Sequence, residues 1–366
     1  MFNPGRFTIA RERRAMSKKG VAESIGVRPI AIHRYEIGEH VPSDENLQKL
    51  SAVLNFPISF FSGGDIDQPR RDNASFRGLA SKTQRIMGAA LASGALAYLF
   101  DDWVSERYNR VELDLPQIDP ELKPQLAAKL LRQHWRLGDK PIENMVHLLE
   151  AKGIRIYSLA ENTKEVDAFS VWRDDVPYVF LNRFKSAERS RFDAAHELAH
   201  LCLHKHGGAA ADNKNSQIEK DANAFAGAFL MPEADLKAVV KSTIYSVDDL
   251  LQYKKRWRVA AVALAYRLRE IGLIGESRIN SLYVEMSRRG WLKNEPNGIS
   301  REQSHVWQQI LDDLRQLGIT KSKIAQETGV PTQELEALLF GLATMLTIDG
   351  EGRRTPPAKV NLRLIK

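Results

Sequence analysis

Three features typical of secreted or membrane proteins are scarce or absent in this sequence of 366 residues. It has a single cysteine, Cys202, which excludes an intrachain disulfide and a metal site built on paired cysteines. Its most apolar stretch, residues 86–100, is shorter than the roughly 20 residues that cross a bilayer. The first residues carry charges but no apolar segment of a signal peptide. The sequence therefore predicts a cytoplasmic protein without a membrane anchor.

The composition is that of a folded protein with a basic excess. Hydrophobic residues make up 43% of the chain and charged residues 27%, which excludes a disordered polymer. Lysine and arginine number 53 against 46 acidic residues, so the net charge is +7. Such an excess favours contact with a polyanion. The length predicts two or three domains, each of roughly 100–200 residues.

Breaks rich in glycine, proline and polar residues divide the chain into predicted domains. One such break predicts a linker at residues 65–79, and residues 294–298 form a second. We therefore expect domains at residues 1–64, 80–293 and 299–366, the last of them small and helical with a basic tail.

Apolar periodicity predicts helices through most of the chain and a small β-sheet near its middle. Alternation over residues 154–159 predicts a strand, and residues 168–182 have the pattern of a hairpin with a long turn at 173–177. Prolines near the first turn predict helices at 124–135 and 141–152. The predicted fold class is α+β, mostly helical.

The segment from Met16 to Glu36 has the spacing of a helix–turn–helix unit. Ala22 lies where two helices must approach closely, and Gly26 can adopt the left-handed turn conformation. The second helix of such a unit presents its first residues to the major groove of DNA. We predict DNA contacts by side chains of this unit, namely Lys18, Arg28, Ile30, His33 and Arg34.

Basic residues are concentrated in the same part of the chain. Residues 1–34 contain eight basic and two acidic residues, and eight minus two gives a local charge of +6. The eight are Arg6, Arg11, Arg13, Arg14, Lys18, Lys19, Arg28 and Arg34. This concentration is typical of a surface that contacts phosphates.

Residues 7–61 resemble the XRE (Cro-like) helix–turn–helix family. The resemblance rests on Ser17, Ala22, Gly26-Val27, Arg34-Tyr35-Glu36 and the closing stretch 56–61. It implies a domain that binds operator DNA as a homodimer. Lys18, Pro29 and Ile30 depart from the residues frequent in the family, and a helical bundle used only for protein contacts is the alternative.

Residues 192–204 contain the motif His196-Glu197-Leu198-Ala199-His200. Residues four apart share a helix face, so the two imidazoles can converge on one zinc ion, and Glu197 can act as a general base. Glu219 on a following helix is the predicted third ligand, with Asp221 as the competing carboxylate. Asn223 lies one turn after Glu219 and is predicted to hold a ligand imidazole.

Two further side chains near this motif have weaker predicted roles. His204 lies one turn after His200 and can be a fourth ligand, but we expect it to support the site, because a fourth protein ligand would exclude the reacting water. Cys202 lies between apolar residues, so we expect a buried, inert thiol rather than an inhibitory zinc ligand.

Residues 70–295 resemble the ImmA/IrrE family of zinc metallopeptidases. The resemblance rests on the Arg191–His200 segment, on Glu219-x-x-Ala222-Asn223 and on Leu230-Met231-Pro232. It implies a gluzincin-like zinc endopeptidase that cleaves or senses a protein partner: a repressor, a toxin or antitoxin, or the chain itself. The expected setting is stress, phage or mobile-element control. A transcription factor whose zinc is structural or sensory is the alternative.

Residues 317–335 repeat the helix–turn–helix rhythm near the end of the chain. Ala325 and Gly329-Val330 have the spacing of Ala22 and Gly26-Val27. The second helix of this repeat would carry Glu334 and Glu336, which oppose DNA phosphates. We therefore expect a structural or dimerising module rather than a second DNA-binding unit.

Overall fold

The computed structural model describes residues 1–70, 74–76, 84–159, 168–204, 212–240, 244, 246–343 and 363–364. In chain order the elements are α1 (Pro4–Arg13), α2 (Lys18–Ile25), α3 (Pro29–Glu36), α4 (Asp44–Leu54), a 3-10 helix (Ile58–Ser62), β1 (Ala74–Phe76), α5 (Gln84–Ser105), β2 (Tyr108–Asn109), α6 (Pro124–His134), α7 (Met145–Ala151), β3 (Arg155–Leu159), β4 (Ala168–Arg173), β5 (Val176–Asn182), α8 (Ala187–Leu203), α9 (Asp212–Leu230), α10 (Glu233–Val239), α11 (Val247–Trp257), α12 (Ala261–Glu270), α13 (Glu276–Arg288), α14 (His305–Gln316), α15 (Lys321–Thr328), α16 (Thr332–Leu339) and β6 (Arg363–Leu364). The predicted α+β, mostly helical fold is confirmed.

The chain forms two compact units that each combine distant segments of the sequence. Unit 1 consists of Met1–Val111, Tyr157–Val166 and Ser304–Lys366, and unit 2 of Glu112–Ile156 and Asp167–Gln303. The linear boundaries 1–64, 80–293 and 299–366 remain predictions. Parts of the predicted linker at 65–79 and most of the basic tail lie outside the described residues. Among the described residues, we find no helix with both the length and the apolar character needed to cross a membrane.

In unit 1, α2 and α3 form the predicted helix–turn–helix pair. Ser17 caps α2, because its hydroxyl accepts a hydrogen bond of 3.0 Å from the Gly20 amide. Gly26 ends the helix at φ 75°, the left-handed conformation that the sequence predicted. Val21, Ala22 and Ile32 are fully buried between the helices. Local capping and turn residues therefore determine where α2 begins and ends.

The C-terminal repeat also forms a helix pair, but its second helix begins against α1. Glu334 is 3% exposed. Its carboxylate lies 2.6 Å from Arg13 Nε and 2.5 Å from Arg14 Nη1. One of the two acidic residues noted in the sequence of α16 is therefore engaged within unit 1.

The four arginines of α1 and of its C-cap position are engaged inside unit 1. Arg6 donates to the backbone oxygens of Phe60 and Gly64, and Arg11 pairs with Glu36. Arg13 and Arg14 pair with Glu334, as described. Burial lowers the pKa of Arg6 and of Arg13 below the usual value. The local charge of +6 therefore overstates the positive charge that this surface offers to phosphates.

In unit 2, a β-hairpin and two long helices position the residues of the predicted metal site. Strands β4 and β5 pair antiparallel from Ala168↔Leu181 to Arg173↔Val176. The predicted long turn is wrong: two residues, Asp174 and Asp175, form the turn, with Asp174 at φ 52°. Helix α8 packs on both strands, and α9 packs along α8.

One other prediction for unit 2 is corrected. Helix α7 begins at Met145 instead of Pro141, because the Asn144 side chain caps it with a bond of 3.0 Å from the His147 amide. The second predicted linker, residues 294–298, is tied to the unit. Glu295 lies 2.6 Å from the buried Lys254 ammonium and accepts a hydrogen bond from the Ala261 amide at 3.0 Å.

Residues 299–303 follow this segment, and Glu302 among them is buried in the core of unit 2. Its carboxylate pairs with the Arg191 guanidinium of α8, and both side chains are at most 3% exposed. The same carboxylate accepts hydrogen bonds from the amides of Met145 at 3.0 Å and Val146 at 3.3 Å. One acidic side chain thereby joins the start of α7 to the first half of α8.

Candidate metal centre

Helix α8 positions the His-Glu-x-x-His motif in the interior of unit 2. The helix is capped by the Ser186 hydroxyl, which accepts a hydrogen bond of 3.3 Å from the Arg189 amide. The motif occupies its last turns, where His196, Glu197 and His200 are each at most 3% exposed. Leu198 and Ala199 are fully buried. The motif therefore lies in a packed helix rather than on a solvated surface.

Helix α9 brings Glu219 to the two histidines. Glu219 Oε2 lies 3.3 Å from His196 Nε2, and Glu219 Oε1 lies 3.5 Å from His200 Nε2. The two Nε2 atoms are 3.0 Å apart. Two ligands of a tetrahedral zinc ion are about 3.3 Å apart when each zinc–ligand bond is about 2.0–2.1 Å. The three residues therefore have the chemistry and spacing of a zinc site with three protein ligands.

Hydrogen bonds on the far side of both rings leave the Nε2 lone pairs available to a metal. His196 Nδ1 lies 3.1 Å from Asn223 Oδ1, which can only accept, so the proton is on Nδ1. His200 Nδ1 lies 3.1 Å from His204 Nδ1. Burial, together with the nearby His200, lowers the pKa of His204 to about 4, so His204 is neutral. Its Nδ1 atom can then accept a hydrogen bond from the Nδ1–H group of His200. These contacts place Asn223 and His204 against the two imidazoles, and their supporting roles remain predictions.

The environment of Glu219 favours its anionic form. Burial alone raises the pKa of this carboxyl. Hydrogen bonds and charge interactions with His196 and His200 outweigh that effect and hold the pKa below its usual range. Asp221, the competing carboxylate, instead accepts a hydrogen bond of 2.8 Å from Gln217. The structure thus brings Glu219 and not Asp221 to the two imidazoles.

The carboxylate of Glu197 accepts a hydrogen bond from Ser170, a residue that no sequence pattern indicated. Ser170 on β4 donates a hydrogen bond of 2.7 Å to Glu197 Oε2, and Ser170 is 2% exposed. The hairpin pattern of residues 168–182 predicted β4, but no local signal relates a serine to a glutamate 27 positions later. Cys202 is buried, and burial raises the pKa of its thiol, which favours the protonated form.

Comparison with known families covers both parts of the chain. Residues 149–269 match the model of a peptidase family described as the IrrE N-terminal-like domain. Residues 9–61 match a helix-turn-helix family model. The chain therefore contains one segment similar to a helix-turn-helix family, followed by one similar to the IrrE-like peptidase family. Both predicted resemblances are confirmed, in the predicted order. The comparison with curated proteins gave no match.

The helix-turn-helix domain carries the five predicted DNA contacts on α2 and α3. All five side chains are exposed or half-exposed: Lys18, Arg28, Ile30, His33 and Arg34. Arg28 is the N-cap residue of α3 and Ile30 lies in its first turn. The pairing of this domain with the IrrE-like domain indicates a DNA-binding regulator that carries a peptidase-like domain.

The contact between Asn223 and His196 provides a test of the IrrE-like site. We expect Asn223→Ala to lower zinc affinity about 10–100-fold, because His196 loses the acceptor that fixes its ring orientation. Competition with a chromophoric chelator measures this affinity. Gln217→Ala, on the exposed part of the same helix, is the matched control and should leave it unchanged. Equal affinities for wild type and Asn223→Ala would contradict the assigned role of Asn223.

Proposed function

We propose that this protein is a transcriptional regulator whose IrrE-like domain is a zinc-dependent metallo-endopeptidase. Its helix-turn-helix domain binds double-stranded operator DNA, and its peptidase domain cleaves or senses a protein partner. That partner is a repressor, a toxin or antitoxin, or this chain itself, in the control of stress, phage or mobile-element genes. We infer a cytoplasmic homodimer, since helix-turn-helix proteins commonly bind paired half-sites as dimers.

The convergence of His196, His200 and Glu219 beside Glu197 is the observation that carries this proposal. A structural zinc site is closed by four protein ligands, whereas a catalytic site has three and leaves a position for water. His204 lies against the Nδ1 atom of His200, on the opposite side of that ring from the cluster. This arrangement supports three ligands rather than four.

The residues around the site suggest how the reaction proceeds. Zinc, when bound, supplies an acidified water and polarises the carbonyl of the scissile peptide. Glu197 accepts the proton of the attacking water on its carboxylate and delivers it to the leaving amine. Ser170 holds one oxygen of that carboxylate. Asn223 and His204 hold the imidazoles of the ligands in place.

The alternative function is a DNA-binding transcription factor whose zinc site is structural or sensory. This protein would bind zinc through the same three residues, but its regulation would not depend on Glu197 acting as a base. The two functions differ in whether regulation survives the substitution Glu197→Gln.

Metal content provides the first test. We expect about one zinc ion per purified wild-type chain and none in the double variant His196→Ala, Glu219→Ala, because the single remaining ligand cannot retain the ion. Elemental analysis measures the zinc, and circular dichroism verifies that the double variant is folded.

A second double variant serves as a matched control for this measurement. His134→Ala with Asp114→Ala removes an exposed histidine–carboxylate pair of 2.6 Å from the same unit. It should retain the zinc of the wild type. Absence of zinc in the wild type, under conditions that retain metals, would overturn the peptidase proposal and the zinc-binding alternative alike.

A further inference from the structure

The first turn of α3 presents an apolar surface where a DNA-reading helix commonly presents polar groups. Pro29 occupies its first position, and Ile30 follows with 52% of its surface exposed. The first residues of the second helix of a helix-turn-helix pair face the base edges in the major groove. An exposed isoleucine at this position therefore meets bases if the domain binds DNA in that orientation.

Polar side chains on the same surface are held by neighbouring residues. Lys18 Nζ lies 2.7 Å from Glu36 Oε2 and 3.1 Å from His33 Nδ1. Arg34 Nε lies 3.4 Å from Glu39 Oε2. Groups in such contacts must give up a bond within the chain before they bond to a base. Ile30 requires no such exchange and can contact a base edge directly.

We propose that Ile30 recognises the 5-methyl group of a pyrimidine in the major groove. An aliphatic side chain cannot read hydrogen-bond donors or acceptors, and the methyl group of thymine is the apolar feature of the major-groove edges. The inference rests on the proposed DNA binding of this domain and specifies what its reading helix recognises. Arg28, the N-cap residue of α3, is exposed at this turn and can contact a flanking phosphate.

Two bases can supply the same methyl group, namely thymine and 5-methylcytosine. Both place it at position 5 of the ring, so the contact with Ile30 has the same chemistry. A thymine contact contributes to operator sequence recognition, whereas a 5-methylcytosine contact makes binding depend on DNA methylation. The experiment has one arm for each source.

The experiment selects 20-base-pair duplexes from two random libraries with the full-length chain at low salt. In the first library thymine carries the only 5-methyl groups. In the second, uracil replaces thymine and 5-methylcytosine replaces cytosine. Each selected pool is then resynthesised without its methyl groups, and the dissociation constants of the two forms are compared. We expect a loss of about fourfold per contacted methyl group, the factor that corresponds to about 0.8 kcal/mol.

The variant Ile30→Ala tests whether this side chain makes the contact. It should bind the methylated and unmethylated forms of a selected pool with equal affinity. Ile58→Ala is the matched control, because Ile58 is an isoleucine of the same domain that is 43% exposed but lies on the 3-10 helix. It should keep the wild-type difference between the two forms.

The outcomes separate this inference from the proposed function. If removal of the methyl groups weakens binding of the first pool, the contacted base is thymine. If it weakens binding of the second pool, the contacted base is 5-methylcytosine. If the wild-type chain binds both pools with dissociation constants that do not depend on the methyl groups, the inference is overturned and the proposed DNA binding stands. An unchanged methyl dependence in Ile30→Ala would also overturn it. If neither library yields a bound duplex, the proposed DNA binding itself is wrong.

Discussion

Glu302→Ala is expected to lower the free energy of unfolding of unit 2 by about 3–5 kcal/mol, the usual cost of removing one partner from a buried ion pair. The Arg191 guanidinium, whose side chain is fully buried, would lose the carboxylate opposite it. The amides of Met145 and Val146 would lose their acceptor as well. Chemical denaturation followed by tryptophan fluorescence measures the change.

A surface carboxylate provides the control for this measurement. Glu276 pairs with Arg269 at 3.0 Å, and both side chains are well exposed. Surface pairs of this kind contribute about 0–1 kcal/mol, so the free energy of unfolding of Glu276→Ala should be close to that of the wild type. A loss below about 1 kcal/mol in Glu302→Ala would show that residues 299–303 are not part of the core of unit 2.

Glu197→Gln is expected to reduce cleavage of the protein partner about 10²–10⁴-fold, the range that a general base contributes. The amide has nearly the shape of the carboxylate but cannot accept the proton of water. Zinc content and DNA binding should not change, because neither the three ligands nor the helix-turn-helix domain is altered. New protein N-termini, quantified by mass spectrometry in cells that produce each variant, measure the cleavage.

Glu233→Gln controls for the loss of one carboxylate from the same unit. Glu233 lies on α10, and about half of its side chain is exposed. This variant should cleave at the wild-type rate. If Glu197→Gln retains both cleavage and transcriptional regulation, the peptidase mechanism is wrong. If no cleavage occurs even in the wild type while regulation persists, the structural or sensory zinc site is the better account.

The parts of the structure that the sequence predicted well depend on short-range chemistry. Gly26 marks a left-handed turn, and its meaning depends only on the residues beside it. His196 and His200 share a helix face because they are four positions apart, and Glu219 and Asn223 share one for the same reason. Once two helices pack, such spacings are enough to place the four side chains together.

The parts that the sequence did not predict depend on contacts between distant residues. Ser170 and Glu197 are 27 positions apart, Arg191 and Glu302 are 111 apart, and Arg13 and Glu334 are 321 apart. Neither partner of these pairs carries a pattern that identifies the other. The predicted linker at 294–298 had the composition of a loop, and it is a loop, but composition does not indicate whether charged side chains anchor it.

The inward orientation of four N-terminal arginines has a consequence for how DNA association responds to electrolyte. A duplex that docks on α3 displaces condensed counterions only through cations that remain at the surface. Arg6, Arg11, Arg13 and Arg14 are committed to partners within unit 1. We therefore expect the affinity of the chain for a duplex to fall less steeply with salt concentration than its local charge of +6 implies.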